Sequence, residues 1–127
     1  MDQEAFKCVY NEARNGCNHY VAHPMARAFL YTDGVKELAE TGCYWLIDEL
    51  AFNLPAEFRK RGWGGHMCII KVSVADTKAK ILGEFQDGDS TPWSKDIEYT
   101  DLPDGEWTLF VSPLDASKLV CILPSEY

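Results

Sequence analysis

The spacing of apolar residues changes once along this chain, close to Met67. Before that point apolar residues recur every three or four positions, which is the period of an amphipathic α-helix. After it they alternate with polar residues, as Ile70, Val72 and Val74 do with Lys71 and Ser73. Apolar residues at helical spacing would fall on both faces of a strand, and alternating apolar residues would fall on all sides of a helix. The sequence therefore predicts helices first and strands second.

Helix start and stop signals divide the first half of the chain. Residues 3–15 are predicted to form a helix that Asp2 caps and Gly16 ends, followed by a loop over 16–25 and a short extended piece over 28–31. A second helix is expected to begin after Thr32 or Asp33 as N-cap and to end or bend at residues 41–42. A third covers 43–53, and Pro55 with the glycines of 62–65 indicates the transition away from helices.

The second half is predicted to be a sheet of about five strands. The first strand begins after Met67, and Asp76-Thr77 makes a tight turn into the second. Further strands are expected over 95–99, 106–111 and 118–123. Short connections favour an antiparallel meander. The predicted fold class is α+β, with N-terminal helices packed on one face of a C-terminal antiparallel sheet, in a single domain over residues 1–127.

Hydropathy and cysteine content indicate the compartment in which the protein is expected to act. The chain shows no apolar run of the roughly 18 residues that a membrane helix needs, and its first residues are acidic, so we expect a cytoplasmic protein that makes no membrane contact. Five cysteines, an odd number, argue against a disulfide framework. Core packing is predicted for four of them, while Cys17 lies in a polar loop; the four are Cys8, Cys43, Cys68 and Cys121.

Most of the net charge of −8 comes from one segment. Between Gly83 and Glu106 there are eight acidic residues and a single base, Lys95. Such a field repels a phosphate backbone and attracts basic surfaces. Direct nucleic-acid binding is therefore not expected.

Acidic side chains of this segment are the predicted partner-binding site. Acids spaced along extended backbone can take the place of phosphates, and two tryptophans, Trp93 and Trp107, can supply aromatic anchors beside them. The alternative is a solvated sheet face with no partner. The predicted contact residues are Asp87, Asp89, Asp96, Glu98, Asp101, Asp104 and Trp93.

Two kinds of reactive site are possible in this sequence, and each has a simpler alternative. Cys17, His19 and His23 are the best metal candidates, but their spacing matches no standard zinc site, and loop histidines that bond backbone are the competing interpretation. Cys43 follows a glycine near a helix start, yet it lies on an apolar face. Neither a metal, a cofactor nor a catalytic residue is predicted. Helix capping is expected for residues 31–33, and a turn-stabilising role for 99–101.

Four short motifs carry a resemblance to a known family. They are Tyr31-Thr32-Asp33-Gly34-Val35, Gly42-Cys43-Tyr44-Trp45, Tyr99-Thr100-Asp101 and Leu123-Pro124-Ser125-Glu126-Tyr127, in this order. In this pattern the chain resembles an uncharacterised family of small proteins carried by bacterial prophages, phages and plasmids. The family has no assigned chemistry. The resemblance implies a bacterial host cell and a role in the biology of mobile elements.

Together these observations favour a non-enzymatic binding protein. We expect it to inhibit a host defence protein that binds nucleic acid through a basic surface, in the manner of anti-CRISPR proteins. Two alternatives stay open: a metal-stabilised accessory domain built on Cys17, His19 and His23, and an enzyme whose pocket residues are scattered through the sequence.

Overall fold

The computed structural model describes residues 2–12, 20–61, 67–86, 92–115 and 117–126. Three α-helices and a short 3₁₀ helix lie in these ranges: α1 Gln3–Asn11, α2 Asp33–Glu40, α3 Tyr44–Lys60, and the 3₁₀ helix Pro124–Glu126. The seven described strands are β1 Tyr20–Ala22, β2 Phe29–Thr32, β3 Cys68–Ala75, β4 Lys78–Phe85, β5 Trp93–Ile97, β6 Gly105–Pro113 and β7 Leu119–Ile122.

The strands form one mixed sheet in the order β1-β2-β7-β6-β3-β4-β5. Only β2 and β7 run parallel, and every other described pair is antiparallel. Strands β3, β4 and β5 form a meander, after which β6 returns to pair with the far side of β3. Three hairpin strands and a fourth that lies beside the first make a Greek key.

The predicted α+β class is confirmed, but the five-strand meander is wrong. The described sheet has seven strands, and β1 and β2 lie between α1 and α2, so the helices do not all precede the strands. Strand β1 has three residues, which is too short to show alternation, and it falls in a segment predicted as a loop. Strand β2 matches the predicted extended piece, and its parallel pairing with β7 depends on residues about 90 positions away.

Local capping explains where two helices begin. The Asp2 carboxylate accepts a hydrogen bond from the Ala5 backbone N–H at 3.1 Å, and the Thr32 hydroxyl oxygen accepts one from the Val35 N–H at 3.2 Å. Both satisfy N–H groups that have no partner inside the helix. The cap at Asp2 is as predicted, and Thr32 rather than Asp33 is the N-cap of α2.

Helix α3 continues past Pro55, which the sequence analysis took as its limit. Proline inside a helix leaves the carbonyl four residues earlier without its usual donor and is about 3 kcal/mol less favourable than alanine. Here Leu50, Leu54 and Phe58 extend one buried face on both sides of the proline, and this packing outweighs that loss. No helix within the described ranges is long and apolar enough to cross a membrane.

The core lies between the helices and one face of the sheet. Cys43, Cys68 and Cys121 are buried in it, as predicted. Cys8 is exposed, which contradicts the prediction of core packing. Helix α1 buries fully only Phe6, and Cys8, two residues later, points about 200° away around the helix axis.

Candidate functional site

Acidic side chains gather at the end of the sheet where β3 turns into β4. The register places Glu106 of β6 opposite Ser73 of β3, and Asp96 of β5 opposite Lys80 of β4, next to the β3–β4 turn. The segment joining β5 to β6 crosses this end, because the Thr100 N–H donates to the Thr77 carbonyl at 2.7 Å. We call this region the acidic end: Asp76, Asp96, Glu98, Asp101, Asp104 and Glu106.

Backbone contacts hold the crossing segment in place. Thr100 is buried, and its hydroxyl oxygen accepts from the Leu102 N–H at 3.1 Å, so it stabilises a turn as predicted. The Gln3 side-chain amide donates to the Asp101 carbonyl at 2.8 Å, and the Trp107 indole N–H donates to the Pro103 carbonyl at 2.9 Å. The backbone is therefore anchored on the core side, while Glu98 and Asp104 are exposed.

Several of these acids form no ion pair with a described residue. Asp96, Glu98 and Asp104 are exposed, and none of them forms an ion pair with a described residue. Lys95 lies on the helix side of β5, with its Nζ 2.5 Å from Glu49 Oε2 on α3. Two lysines, Lys78 and Lys80, share the acidic end and offset part of its charge. Asp87 and Asp89 lie outside the described residues.

The two tryptophans, Trp93 and Trp107, are partly buried against the core. Trp93 is partly buried against the core and lies so close to β4 that a Cβ on Gly83 would be 3.4 Å from its ring. Trp107 is also partly buried, with Phe6 and Tyr10 edge-on to its ring at centroid distances of 5.0 and 5.1 Å. Both rings therefore join the sheet to its core, and only their outer parts are accessible to a partner.

Surface depressions at the acidic end are open and charged. One of about 480 Å³ is lined by residues of β3, β4 and β6 that include Lys78, Lys80 and Glu106. Another of about 540 Å³ is lined by Lys78, Ala79, Asp96, Ile97 and Glu98. Neither lining contains a histidine or cysteine. This mixture of lysines and acids suits polar contacts with another macromolecule rather than a desolvated reaction.

His23 is buried and uses both ring nitrogens. Its Nδ1 accepts from the backbone N–H groups of Met25 and Ala26 at 3.2 and 3.0 Å, so Nδ1 carries no proton. Nε2–H then donates to Asp48 Oδ1 at 2.8 Å. Binding a metal ion would require His23 to give up one of these bonds. The predicted partners Cys17 and His19 lie outside the described residues.

The described residues contain no other metal arrangement. No three histidine, cysteine, aspartate or glutamate side chains among them are placed to hold an ion. The buried thiols are also poorly suited to nucleophilic chemistry, because burial raises the pKa of Cys43 and of Cys68 to about 12. A thiol with such a pKa is almost entirely protonated near neutral pH.

The first and last sequence motifs meet at the start of α2. The Thr32 hydroxyl donates to Glu126 Oε1 at 2.7 Å, and the Leu123 N–H donates to the same oxygen at 2.9 Å. Gly34 provides the space, since a Cβ there would lie 2.7 Å from Glu126 Oε2. We call this contact the C-terminal latch: Thr32, Gly34, Leu123 and Glu126. Sequence reasoning assigned Thr32 to helix capping and missed its contact with Glu126.

A second surface feature was missed on α3. Tyr44, Asp48 and Phe52 are exposed and stand one helical turn apart, and Met25 in the β1–β2 connection is also exposed. The spacing of the three helix residues was visible in the sequence. Their juxtaposition with Met25 was not, because it depends on the contact between His23 and Asp48.

No curated protein and no solved structure matches this chain. One family model does, over residues 12–127, a span that includes all four motifs. The match covers well over half of the sequence. The chain therefore belongs to DUF6876, a family of unknown function.

Proposed function

We propose that this protein is a non-enzymatic inhibitor that binds a basic protein surface through its acidic end. The observation that carries the proposal is the set of exposed acids, Asp96, Glu98 and Asp104, which make no ion pair with a described residue. Like charges held close together repel one another. A cationic partner relieves that repulsion, so the acidic end favours association with a basic surface.

The partner we propose is a host defence protein that binds nucleic acid. Proteins that bind a phosphate backbone carry lysine and arginine on the binding surface, and an acidic protein competes for the same side chains. The resemblance to proteins of prophages, phages and plasmids supports a defence protein of the bacterial host as the target. On this proposal the protein acts in the host cytoplasm, as an anti-CRISPR protein does.

Three features of the described residues support a role in binding. The depressions at the acidic end are open, and the buried thiols Cys43 and Cys68 are held protonated by their raised pKa. His23 has no free ring nitrogen with which to act as a base. These features favour a binding protein over an enzyme.

A charge-matched pair of variants tests the proposal. Asp96→Asn with Glu98→Gln removes two charges from the acidic end, and Asp33→Asn with Glu40→Gln removes two from exposed positions at the two ends of α2. Each tagged protein is used to capture partners from a bacterial host lysate, which mass spectrometry identifies. Binding of the captured partner is then measured at low and moderate salt, with and without its nucleic acid.

We expect the acidic-end variant to bind the partner about tenfold more weakly, equivalent to about 1.4 kcal/mol, while the control variant binds as the wild type does. Nucleic acid and the protein should exclude each other from the partner. Equal binding by the two variants, or simultaneous binding of nucleic acid and inhibitor, would refute the proposal.

A further inference from the structure

The outward face of α3 carries two aromatic rings on either side of a carboxylate. Tyr44 is 46% exposed and Phe52 58% exposed, and the Asp48 side chain between them is 53% exposed. Met25, 80% exposed, is in the β1–β2 connection beside them. We call these four residues the α3 aromatic patch. Large apolar side chains of this exposure that lie together favour contact with another molecule.

Hydrogen bonds fix the parts of the patch relative to one another. His23 donates to Asp48 Oδ1 at 2.8 Å, and its ring stands edge-on to Phe52, with centroids 5.2 Å apart. The same imidazole accepts two backbone N–H groups of the loop that carries Met25. One buried side chain therefore contacts the Asp48 carboxylate, the Phe52 ring and the backbone of the loop, so these three lose little conformational freedom when a ligand binds.

The Asp48 carboxylate of the patch forms no ion pair with a described lysine or arginine. Among the described residues Asp48 pairs only with His23, and Arg27, in the loop that carries Met25, makes no ion pair with it. Asp48 Oδ2 thus remains available. Burial first, then the neighbouring Tyr44, Asp48 and Glu40, raises the pKa of Tyr31.

Elsewhere in the chain, an arginine contacts an aromatic ring and a carboxylate at the same time. At the end of α3 the Arg61 guanidinium lies 3.8 Å from the centroid of the Phe85 ring and donates to Glu57 Oε1 at 3.2 Å. A planar guanidinium can stack on a ring and bond a carboxylate at the same time. Phe52 and Asp48 offer the same two groups one helical turn apart, and no described arginine lies over Phe52.

We propose that the α3 aromatic patch binds an arginine side chain from an extended segment of another protein. The guanidinium lies over Phe52 or Tyr44 and pairs with Asp48, and Met25 packs on its methylene groups. Lysine binds more weakly at such a site, because its ammonium has neither the flat face nor the fork of donors. The patch belongs to the helix layer, so this contact is independent of the acidic end.

Two labelled peptides of equal charge test the proposal. Each has nine residues, four of them arginine in one peptide and lysine in the other, with glycine and serine between. Fluorescence anisotropy measures their affinity for the wild type, Phe52→Leu, Asp48→Asn and the acidic-end variant Asp96→Asn with Glu98→Gln. The asparagine keeps an oxygen that accepts from His23, so Asp48→Asn removes the charge without removing that bond.

The wild type is expected to bind the arginine peptide about fivefold more tightly than the lysine peptide. Phe52→Leu and Asp48→Asn should each bring that ratio close to one. The acidic-end variant should weaken both peptides alike and leave the ratio unchanged, so failure at the acidic end is distinguished from failure at the patch. Equal affinity of the wild type for both peptides, or a preference that survives both patch variants, overturns the proposal.

Discussion

Replacing Glu126 with alanine should destabilise the whole fold, although the residue lies in a 3₁₀ helix of only three residues. Its Oε1 accepts two buried hydrogen bonds, one from Thr32 and one from the Leu123 N–H. Hydrogen bonds to a charged group contribute roughly 1.5–3 kcal/mol each, and a donor left unsatisfied in the interior adds a penalty. Since both bonds share one oxygen, we expect a total loss of about 3 kcal/mol in the free energy of unfolding.

Two neighbouring substitutions calibrate this value. Glu126→Gln keeps an oxygen acceptor at the same place, so it should lose less, about 1–2 kcal/mol. Ser125 lies beside Glu126, and its buried hydroxyl makes no hydrogen bond with a described residue. Ser125→Ala should therefore leave stability unchanged or raise it by up to about 1 kcal/mol.

Gly34→Ala adds a sharper test, because its effect should change sign with residue 126. In the wild type the new Cβ would lie 2.7 Å from Glu126 Oε2, so the carboxylate must move and the latch weakens. In a Glu126→Ala background that obstacle is gone. Alanine is then the better helix residue by about 1 kcal/mol, and the same substitution should stabilise the protein.

Urea unfolding followed by circular dichroism measures these effects. With a slope of roughly 1.5 kcal/mol per molar urea, a loss of 3 kcal/mol lowers the midpoint by about 2 M. A Glu126→Ala midpoint equal to that of Ser125→Ala would refute the assigned role of the carboxylate. A Gly34→Ala effect of the same size in both backgrounds would refute the steric argument.

Three further predictions concern the interior and the β3–β4 turn. The buried thiols of Cys43, Cys68 and Cys121 have raised pKa values. Between about pH 9 and 12 the unfolded chain has lost thiol protons that the folded protein keeps, so the free energy of unfolding should fall by about 1.4 kcal/mol per pH unit per thiol. A urea midpoint that stays flat from pH 8.5 to 10.5 would contradict this prediction. His23→Ala should lower the free energy of unfolding by about 2–3 kcal/mol, because two loop N–H groups lose their acceptor. Asp48→Asn should have less than half that effect in the same urea unfolding experiments. Thr77→Gly should stabilise the hairpin by about 1 kcal/mol, since Thr77 has φ of +64° where a β-branched residue is strained; a lower melting temperature would be the opposite result.

Local signals in the sequence were reliable where they acted over a few residues. Asp2 and Thr32 cap their helices, Asp76-Thr77 turns the chain, and the alternating pattern marks β3 and β4. Pro55 does not end α3 as predicted, because a single unfavourable residue is outweighed by burial on both sides of it. Cys8 misled it because an amphipathic pattern over a short helix does not fix which residues reach the core.

Long-range pairings account for the rest. Strand β2 becomes a strand of the main sheet only by lying parallel to β7, and β6 pairs with β3 rather than with β5. Neither pairing can be predicted from the local pattern of apolar and polar residues. For the candidate sites the same holds: the acids of 96–104 were visible in the sequence, while their position at the β3–β4 turn required the Greek key. The α3 aromatic patch required the bond from His23, 25 residues from Asp48.

The parallel pairing of β2 with β7 has a consequence for how the chain is made. Phe29, Leu30 and Tyr31 pair with Leu119, Val120 and Cys121, so a ribosome must synthesise about 90 further residues before β2 has a neighbouring strand on both sides. Until then the hairpin of β1 and β2 presents an open edge of unpaired amide groups, which is a site for misassociation. Completion of the sheet should therefore wait until β7 has been synthesised and proceed slowly, since contacts so distant in sequence form late.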